Sequence, residues 1–494
     1  MEDFLPEPAL QVSGGKVDIH TFTQDQRNSL QEGEDHRSLL SLLRQGQTGG
    51  LVQIISKKPT DTLEGYIELT GGDYGMLKAE GALNGPLSET ISGRLSAYHE
   101  SNDGYIENAT GEDGGDRNNN SGRGQLLFEP TEDLSVLVSG RYAIDDAEGQ
   151  IYDVHAAVFD ADGYIQALTP FGSATEQDFL SYCAGLIAFN GVPGPPGGTD
   201  AGSGDCFNGA PNNRDPFHSS TNADSYYKRD HYGATVTVDY QWGPGTLTSI
   251  TDFQDFNKRY AEDADSTPLI LWEFQQDLDA TQWSEELRYA PESSWGRYIL
   301  GAYYLQIEDD GRASLDAVNT LGISFQNFYG LETRTCAAFG QIEYRLGEDF
   351  TAIAGLRWTE DRKEFHIDVG CGFDFLANET PTAENCAFFA PLVQGTGLPN
   401  TTRDEGDWSG NAELDWKPSD DLLIYGKVVR GHKADGLNGG IINFFEPSAA
   451  TYDAELPLTY EAGLKAAVFE QKTRVSASAF YTDYKDFQTF TQRI

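Results

Sequence analysis

The sequence predicts an all-β chain, folded as a partial antiparallel up-and-down transmembrane β-barrel. Three observations lead there. Apolar and polar residues alternate with a period of two in the ordered-looking runs from Leu63 onward, the pattern of strands with two different faces. The connections between those runs alternate between short and long, as they do when all turns of one parity lie at one end of a barrel. Tyr (24), Phe (27) and Gly (54) are abundant while Met is rare (2), a mix suited to strands and turns.

The alternation is clearest in three runs. Leu134, Val136, Val138, Tyr142 and Ile144 share a face opposite Ser135, Ser139 and Arg141. Ala234, Val236, Val238 and Tyr240 oppose Thr235, Thr237 and Asp239. Val475, Ala477, Ala479 and Tyr481 oppose Ser476, Ser478 and Thr482. The period-two criterion yields about 15 strands. Short turns fall at 85–90, 130–133, 243–245, 291–296, 347–349 and 417–421, most of them punctuated by Pro or Gly. Long polar segments fall at 100–120, 145–228, 258–279, 309–331, 362–405 and 432–457. Aromatics gather at strand ends: Tyr240, Trp242, Tyr289, Tyr303, Tyr304, Trp358, Trp416, Tyr481 and Tyr484. They are expected to form the interfacial girdles of a membrane barrel.

No run approaches the roughly 18 apolar residues of a transmembrane helix, whereas a barrel strand needs only about 9–11 residues. The first 48 residues carry little pattern; Asp35 to Arg44 is expected to form a short amphipathic helix. Met1 to Leu10 has neither a basic nor an apolar region and does not read as a signal peptide.

With 34 Lys and Arg against 78 Asp and Glu, the net charge is −44. Such a chain repels nucleic acid, so no nucleic-acid partner is expected. The 12% aromatic content argues against a disordered acidic chain. Five cysteines are present. Cys183 and Cys206 share one loop-like stretch and Cys371 and Cys386 another. They are read as local disulfides, the alternative being unrelated thiols. Cys336 sits alone in a strand-like run. Asp145, Asp146, Asp153, Asp160 and Asp162, with Glu262, Asp263 and Asp265, form acidic groups. They lack the spacing of a calcium loop and are expected to be solvated. His155 and His218 are expected to be loop residues. No metal site, cofactor or catalytic constellation is assigned, and the chain is not read as an enzyme.

The segment Gly49–Pro59 (GGLVQIISKKP) resembles the end of the plug domain of TonB-dependent outer-membrane receptors. Six later segments resemble the same family in its own order: Ser92–Asn108, Arg123–Ser135, Gln282–Tyr289, Phe339–Thr359, Leu423–Gly440 and Leu458–Phe487. The resemblance spans residues 44–494. It implies a plugged 22-stranded barrel, of which about 15 strands are seen here. It also implies a division into 1–43 (unassigned, unlike the family), 44–60 (end of the plug) and 61–494 (incomplete barrel). Gly49, Gly50, Lys57, Lys58 and Pro59 then mark the plug–barrel junction.

The family takes up scarce ligands, most commonly ferric siderophores, in an outer membrane whose lipid surrounds the barrel. A TonB box, not seen in this sequence, couples the intact receptor to the TonB–ExbB–ExbD complex. The chain is accordingly expected to be a transport-incompetent fragment of such a receptor, with ligand contacts unknown. Two other readings compete. A passive porin-like barrel leaves Gly49–Pro59 unexplained, and a secreted soluble β-rich glycan-active enzyme leaves the loop parity unexplained.

Overall fold

The computed structural model of the chain describes residues 56–108, 112–148, 164–165, 174–175, 218–219, 221, 225–263, 273–317, 323–372, 401–437, 451–469 and 473–488. No helix occurs among them. The helix expected at Asp35–Arg44 lies outside the described residues, as do Gly49 and Gly50.

Fifteen strands form one antiparallel sheet in chain order. They are β1 (Glu64–Gly71), β2 (Leu77–Pro86), β3 (Ile91–Asn102), β4 (Arg117–Thr131), β5 (Leu134–Glu148), β6 (Tyr226–Trp242), β7 (Gly245–Asp263), β8 (Glu273–Ser293), β9 (Gly296–Ala317), β10 (Ile323–Leu346), β11 (Phe350–Gly372), β12 (Thr401–Ser419), β13 (Leu422–Arg430), β14 (Leu456–Val468) and β15 (Thr473–Lys485). The sheet is open, with β1 and β15 at its edges. With an odd number of antiparallel strands, these two edges run in the same direction.

The loop parity is present. The turns at one end are tight: Trp242 pairs with Gly245 and Leu346 with Phe350. Gly243 (φ 61°) and Gly347 (φ 79°) supply the left-handed conformations those turns need. At the other end, the residues between β5 and β6, β11 and β12, and β13 and β14 are far more numerous. The expected loop bounds change. The polar segment 309–331 is mostly strand, because β9 runs 22 residues and β10 runs 24. A strand needs only about 9–11 residues to cross the bilayer, so these continue well past it. Beyond the bilayer no lipid contact enforces the polarity alternation, so it fades while the backbone ladder continues; Ala313, Ser314, Leu315 and Asp316 are buried in succession there. For the same reason Asp145 and Asp146 lie in β5, and Cys371 lies in β11 opposite Phe325 rather than in a loop.

The outer face carries an apolar band between two aromatic tiers. Directly opposed partners Tyr142–Tyr232, Phe253–Trp283, Trp358–Trp408 and Tyr460–Tyr481 form the tier toward the long loops. Tyr240, Trp242, Tyr289, Tyr344, Phe350 and Trp416 form the tier at the tight turns, with Phe350 and Trp416 stacked at 6.0 Å. Small and aliphatic residues such as Val236, Ala302, Leu356 and Ala412 lie between. Tyr232 and Tyr240 bracket Val236 and lie about 27 Å apart along the strand, which a tilt of about 35–45° projects to roughly 19–22 Å, a little under the ~25 Å lipid band of a barrel. The tiers climb across the ladder: the row of direct partners starting at Tyr232 reaches Glu364, not Trp358, on β11. That stagger is what tilted barrel strands require. Two expected girdle residues face the other way. Tyr303 alternates with Tyr304 and points inward, where the Arg357 guanidinium lies 5.5 Å from its ring centre. Tyr484, opposite Pro457, is also on the inner face.

Candidate functional site: the inner wall and its mouth

The inner face is polar because the residues alternating with the lipid-facing row point there. Its charges are paired across strands. Arg141 on β5 donates to Thr235 Oγ1 on β6 (2.8 Å) and Asp252 Oδ1 on β7 (3.1 Å). Thr235 donates to the same carboxylate oxygen at 2.6 Å, and Gln254 donates to its other oxygen at 2.7 Å. His231 Nε2 lies 3.2 Å from Gln254 Oε1. Farther round the wall, Arg297 pairs with Glu343 at 2.7 Å and Lys427 with Glu461 at 3.1 Å. Arg141 and Lys427 are therefore neutralised by wall carboxylates.

At the tight-turn end, the chain entering β1 is fastened to this wall. Asn84 on β2 is 1% exposed. Its Oδ1 accepts from the Thr60 amide (2.9 Å), and its Nδ2 donates to Thr60 Oγ1 (2.6 Å) and to the Thr62 carbonyl (2.9 Å). Arg123 donates to Ser56 Oγ. Pro59 is buried, while Lys57 and Lys58 are exposed.

At the long-loop end, the segments flanking the connection between β13 and β14 fold back onto β11 and β12. Lys433 and Glu455 exchange backbone bonds of 3.0 and 2.9 Å, and Gly436–Leu437 pairs with Thr451–Tyr452. The Asp435 carboxylate reaches Arg403 Nε and lies 3.7 Å from Lys363 Nζ. The Asp435 amide donates to Glu405 Oε2 at 2.9 Å, and His432 Nε2 lies 3.4 Å from Glu405 Oε1. Gln488 Nε2 donates to the carbonyls of Ala434 (3.1 Å) and Asp453 (2.9 Å).

A neighbouring cleft of about 330 Å³ is lined by Glu308, Asp309, Asp310, Leu331, Glu332 and His366, among others. Asp309 lies beyond the outer aromatic tier. Burial, aided by Asp310, pushes its carboxyl up to about 6, against the opposing pull of the Leu331 amide and His366.

Of the acidic residues noted in the sequence, Asp145 pairs with Arg229 and Asp146 with Lys228 at 3.1 Å. Among the described residues no group of three or more His, Cys, Asp or Glu is placed to hold a metal ion. Cys183, Cys206, Cys386, Asp153, Asp160, Asp162, Asp265 and His155 lie outside the described residues. Cys336 is a free thiol on the outer face of β10. Asn84, Asp252, Lys363, Arg403 and Asp435 were not singled out from sequence. Each is an ordinary polar residue there, and only cross-strand register and the folded-back hairpin give it a partner.

A family model described as TonB dependent receptor-like, beta-barrel, matches residues 169–494. The ferripyoverdine receptor of Pseudomonas aeruginosa is 26% identical over 120 residues, covering 24% of this chain and 14% of that receptor. Among solved structures, the ferric yersiniabactin uptake receptor FyuA from Yersinia pestis superposes with a TM-score of 0.62 at 16% identity, covering 90% of this chain and 59% of FyuA. The siderophore receptor PiuA from Acinetobacter baumannii superposes with a TM-score of 0.60 at 12% identity, covering 88% of this chain and 59% of PiuA. The chain thus spans well under two-thirds of these relatives. At this identity the superpositions establish the fold. The family model, matched over more than half the chain, establishes the lineage: the chain belongs to the TonB-dependent receptor family.

Proposed function

We propose that the chain supplies barrel wall to an outer-membrane receptor that imports a ferric siderophore, with uptake driven through TonB–ExbB–ExbD. The observation that carries this reading is the two-faced wall. It has an apolar, aromatic-edged exterior for lipid and a charged interior, and the family's barrel model matches its strands β6 to β15. The relatives named above are siderophore receptors, two of them by name for the ferric form, which favours the same ligand class here. The Asn84 anchor favours a plugged barrel over an open pore, because it holds the segment entering β1 against the inner wall. Residues 44–60 are then the end of the plug, with Gly49, Gly50, Lys57, Lys58 and Pro59 at the junction, and 61–494 belong to the barrel.

The fifteen strands alone are transport-incompetent on this reading. Their edges leave backbone groups that lipid cannot satisfy, and β1 and β15 run parallel. Uptake requires further strands between them. The test is uptake of radioactive iron, presented as a panel of ferric siderophores, by cells lacking their own receptors. The chain is expressed alone and joined to a plug bearing a TonB box and to strands that close the sheet, with and without TonB. TonB-dependent uptake by the closed form only is expected. TonB-independent leakage of unrelated solutes would favour a porin instead.

A further inference from the structure

We infer that Lys363 and Arg403 form an anion-binding subsite in the mouth, occupied here by the Asp435 carboxylate, and that an anionic group of the ligand takes that carboxylate's place and frees the hairpin around it. The ligand class rests on the receptor reading above; the subsite rests on the geometry.

Lys363 and Arg403 are direct register partners on β11 and β12, both on the inner face. Like charges directly opposed on a sheet are unfavourable. Elsewhere on this wall, the ladder itself supplies the counter-charge, as in Arg297 with Glu343 and Lys427 with Glu461. Here it does not. The diagonal carboxylates are engaged otherwise: Asp361 accepts from Thr335, and Glu405 accepts the Asp435 amide and faces His432. The two cations instead meet at Asp435 of a loop: Arg403 reaches its carboxylate, and Lys363 donates to its backbone carbonyl with the carboxylate 3.7 Å away. The Asp435 side chain is 7% exposed and that of Lys363 13%, so the pair is largely withdrawn from water. Arg403 also lies 3.5 Å from Asp453, whose side chain is 82% exposed and contributes little.

A planar guanidinium beside an ammonium suits a carboxylate or another bidentate oxyanion. Asp435 sits on a segment held by short-range bonds: the Lys433–Glu455 backbone pair, the two-residue ladder at Gly436–Leu437, and the Gln488 contacts. Replacing its carboxylate therefore releases a small unit, not a strand. A loop carboxylate in a cation pair at the mouth is a built-in competitor. It keeps the two charges satisfied until a stronger anion arrives.

The test uses the full chain in detergent micelles, with iron-free citrate as the probe and hydrogen exchange of the 431–437 amides as the readout. Citrate is expected to speed exchange at Lys433 and Asp435, whereas sodium chloride at matched ionic strength leaves it unchanged. Asp435→Asn is expected to exchange fast without citrate and to bind citrate on the order of tenfold tighter, since the internal competitor is gone. Lys363→Gln is expected to weaken citrate binding by about tenfold, the loss of one charge-assisted contact. Equal opening by chloride overturns the proposal. So does an Asp435→Asn variant whose hairpin opens without any gain in citrate affinity. Because citrate carries no iron, success here with failure of ferric-siderophore uptake overturns the receptor reading while the subsite stands.

Discussion

Trp358 and Trp408 face each other directly across β11 and β12, both on the lipid side of the sheet. Arg430 reaches over Trp408, its guanidinium 4.3 Å from the ring centre. An amphipathic ring and a cation at one level fit the bilayer interface, where an aromatic body stays apolar and a charged head reaches water. Val236, midway between Tyr232 and Tyr240, then lies at mid-bilayer.

That placement makes a face-specific prediction. Val236→Arg is expected to cost about 2–4 kcal/mol, as arginine does at the midplane of a barrel's lipid face. Thr237→Arg, one residue on and pointing inward, is expected to cost less than about 1 kcal/mol. Denaturant unfolding in lipid vesicles measures both, and equal costs would place the band elsewhere.

The Arg141–Asp252 pair ties three strands together beneath that band. Asp252→Ala leaves a buried guanidinium uncompensated and is expected to cost about 3–5 kcal/mol. Removing the arginine as well, as Arg141→Met with Asp252→Leu, is expected to recover much of that loss. A double-mutant cycle over Arg141→Met, Asp252→Leu and the two together, by unfolding in detergent, reads the coupling.

Asn84 satisfies one amide and one carbonyl of the segment leading into β1. Asn84→Ala is expected to cost about 1–3 kcal/mol, the usual penalty for stranding buried polar groups. It should also raise amide exchange at Thr60. Unchanged protection there would show that Pro59 packing alone holds the segment.

Asp309 titrates near 6 because burial disfavours its charged form. The folded protein therefore binds a proton more tightly than the unfolded chain, whose aspartates titrate near 3.9. Stability is expected to fall as pH rises from about 4 to about 6, by roughly 2–3 kcal/mol, and then to level off. Asp309→Asn keeps an oxygen for the Leu331 amide, 3.0 Å away, and removes the charge. It should abolish this part of the slope and stabilise the protein at neutral pH. Unfolding midpoints at pH 4.5 and 7.5, compared between the two proteins, decide it.

Fold class, loop parity and the composition of each face are legible in the residues alone. The row Leu134, Val136, Val138, Tyr142 and the row Ala234, Val236, Val238, Tyr240 were legible because lipid contact on one side forces a period of two. Where that contact ends, so does the signal: residues 309–317 and 323–331 look like loop yet continue β9 and β10, since no lipid-facing row imposes a period of two there and Ala313, Ser314, Leu315 and Asp316 are buried on either face. Facing was ambiguous where two aromatics adjoin. Tyr303 and Tyr304 must point opposite ways, and only pairing with β10 fixes which meets lipid. The mouth was not legible at all. Lys363, Arg403 and Asp435 lie on separate stretches of chain, and their meeting depends on strand register and on a hairpin folding back. Side-chain alternation is a local property that sequence carries; the choice of partner across a sheet is a long-range one that tertiary structure alone decides.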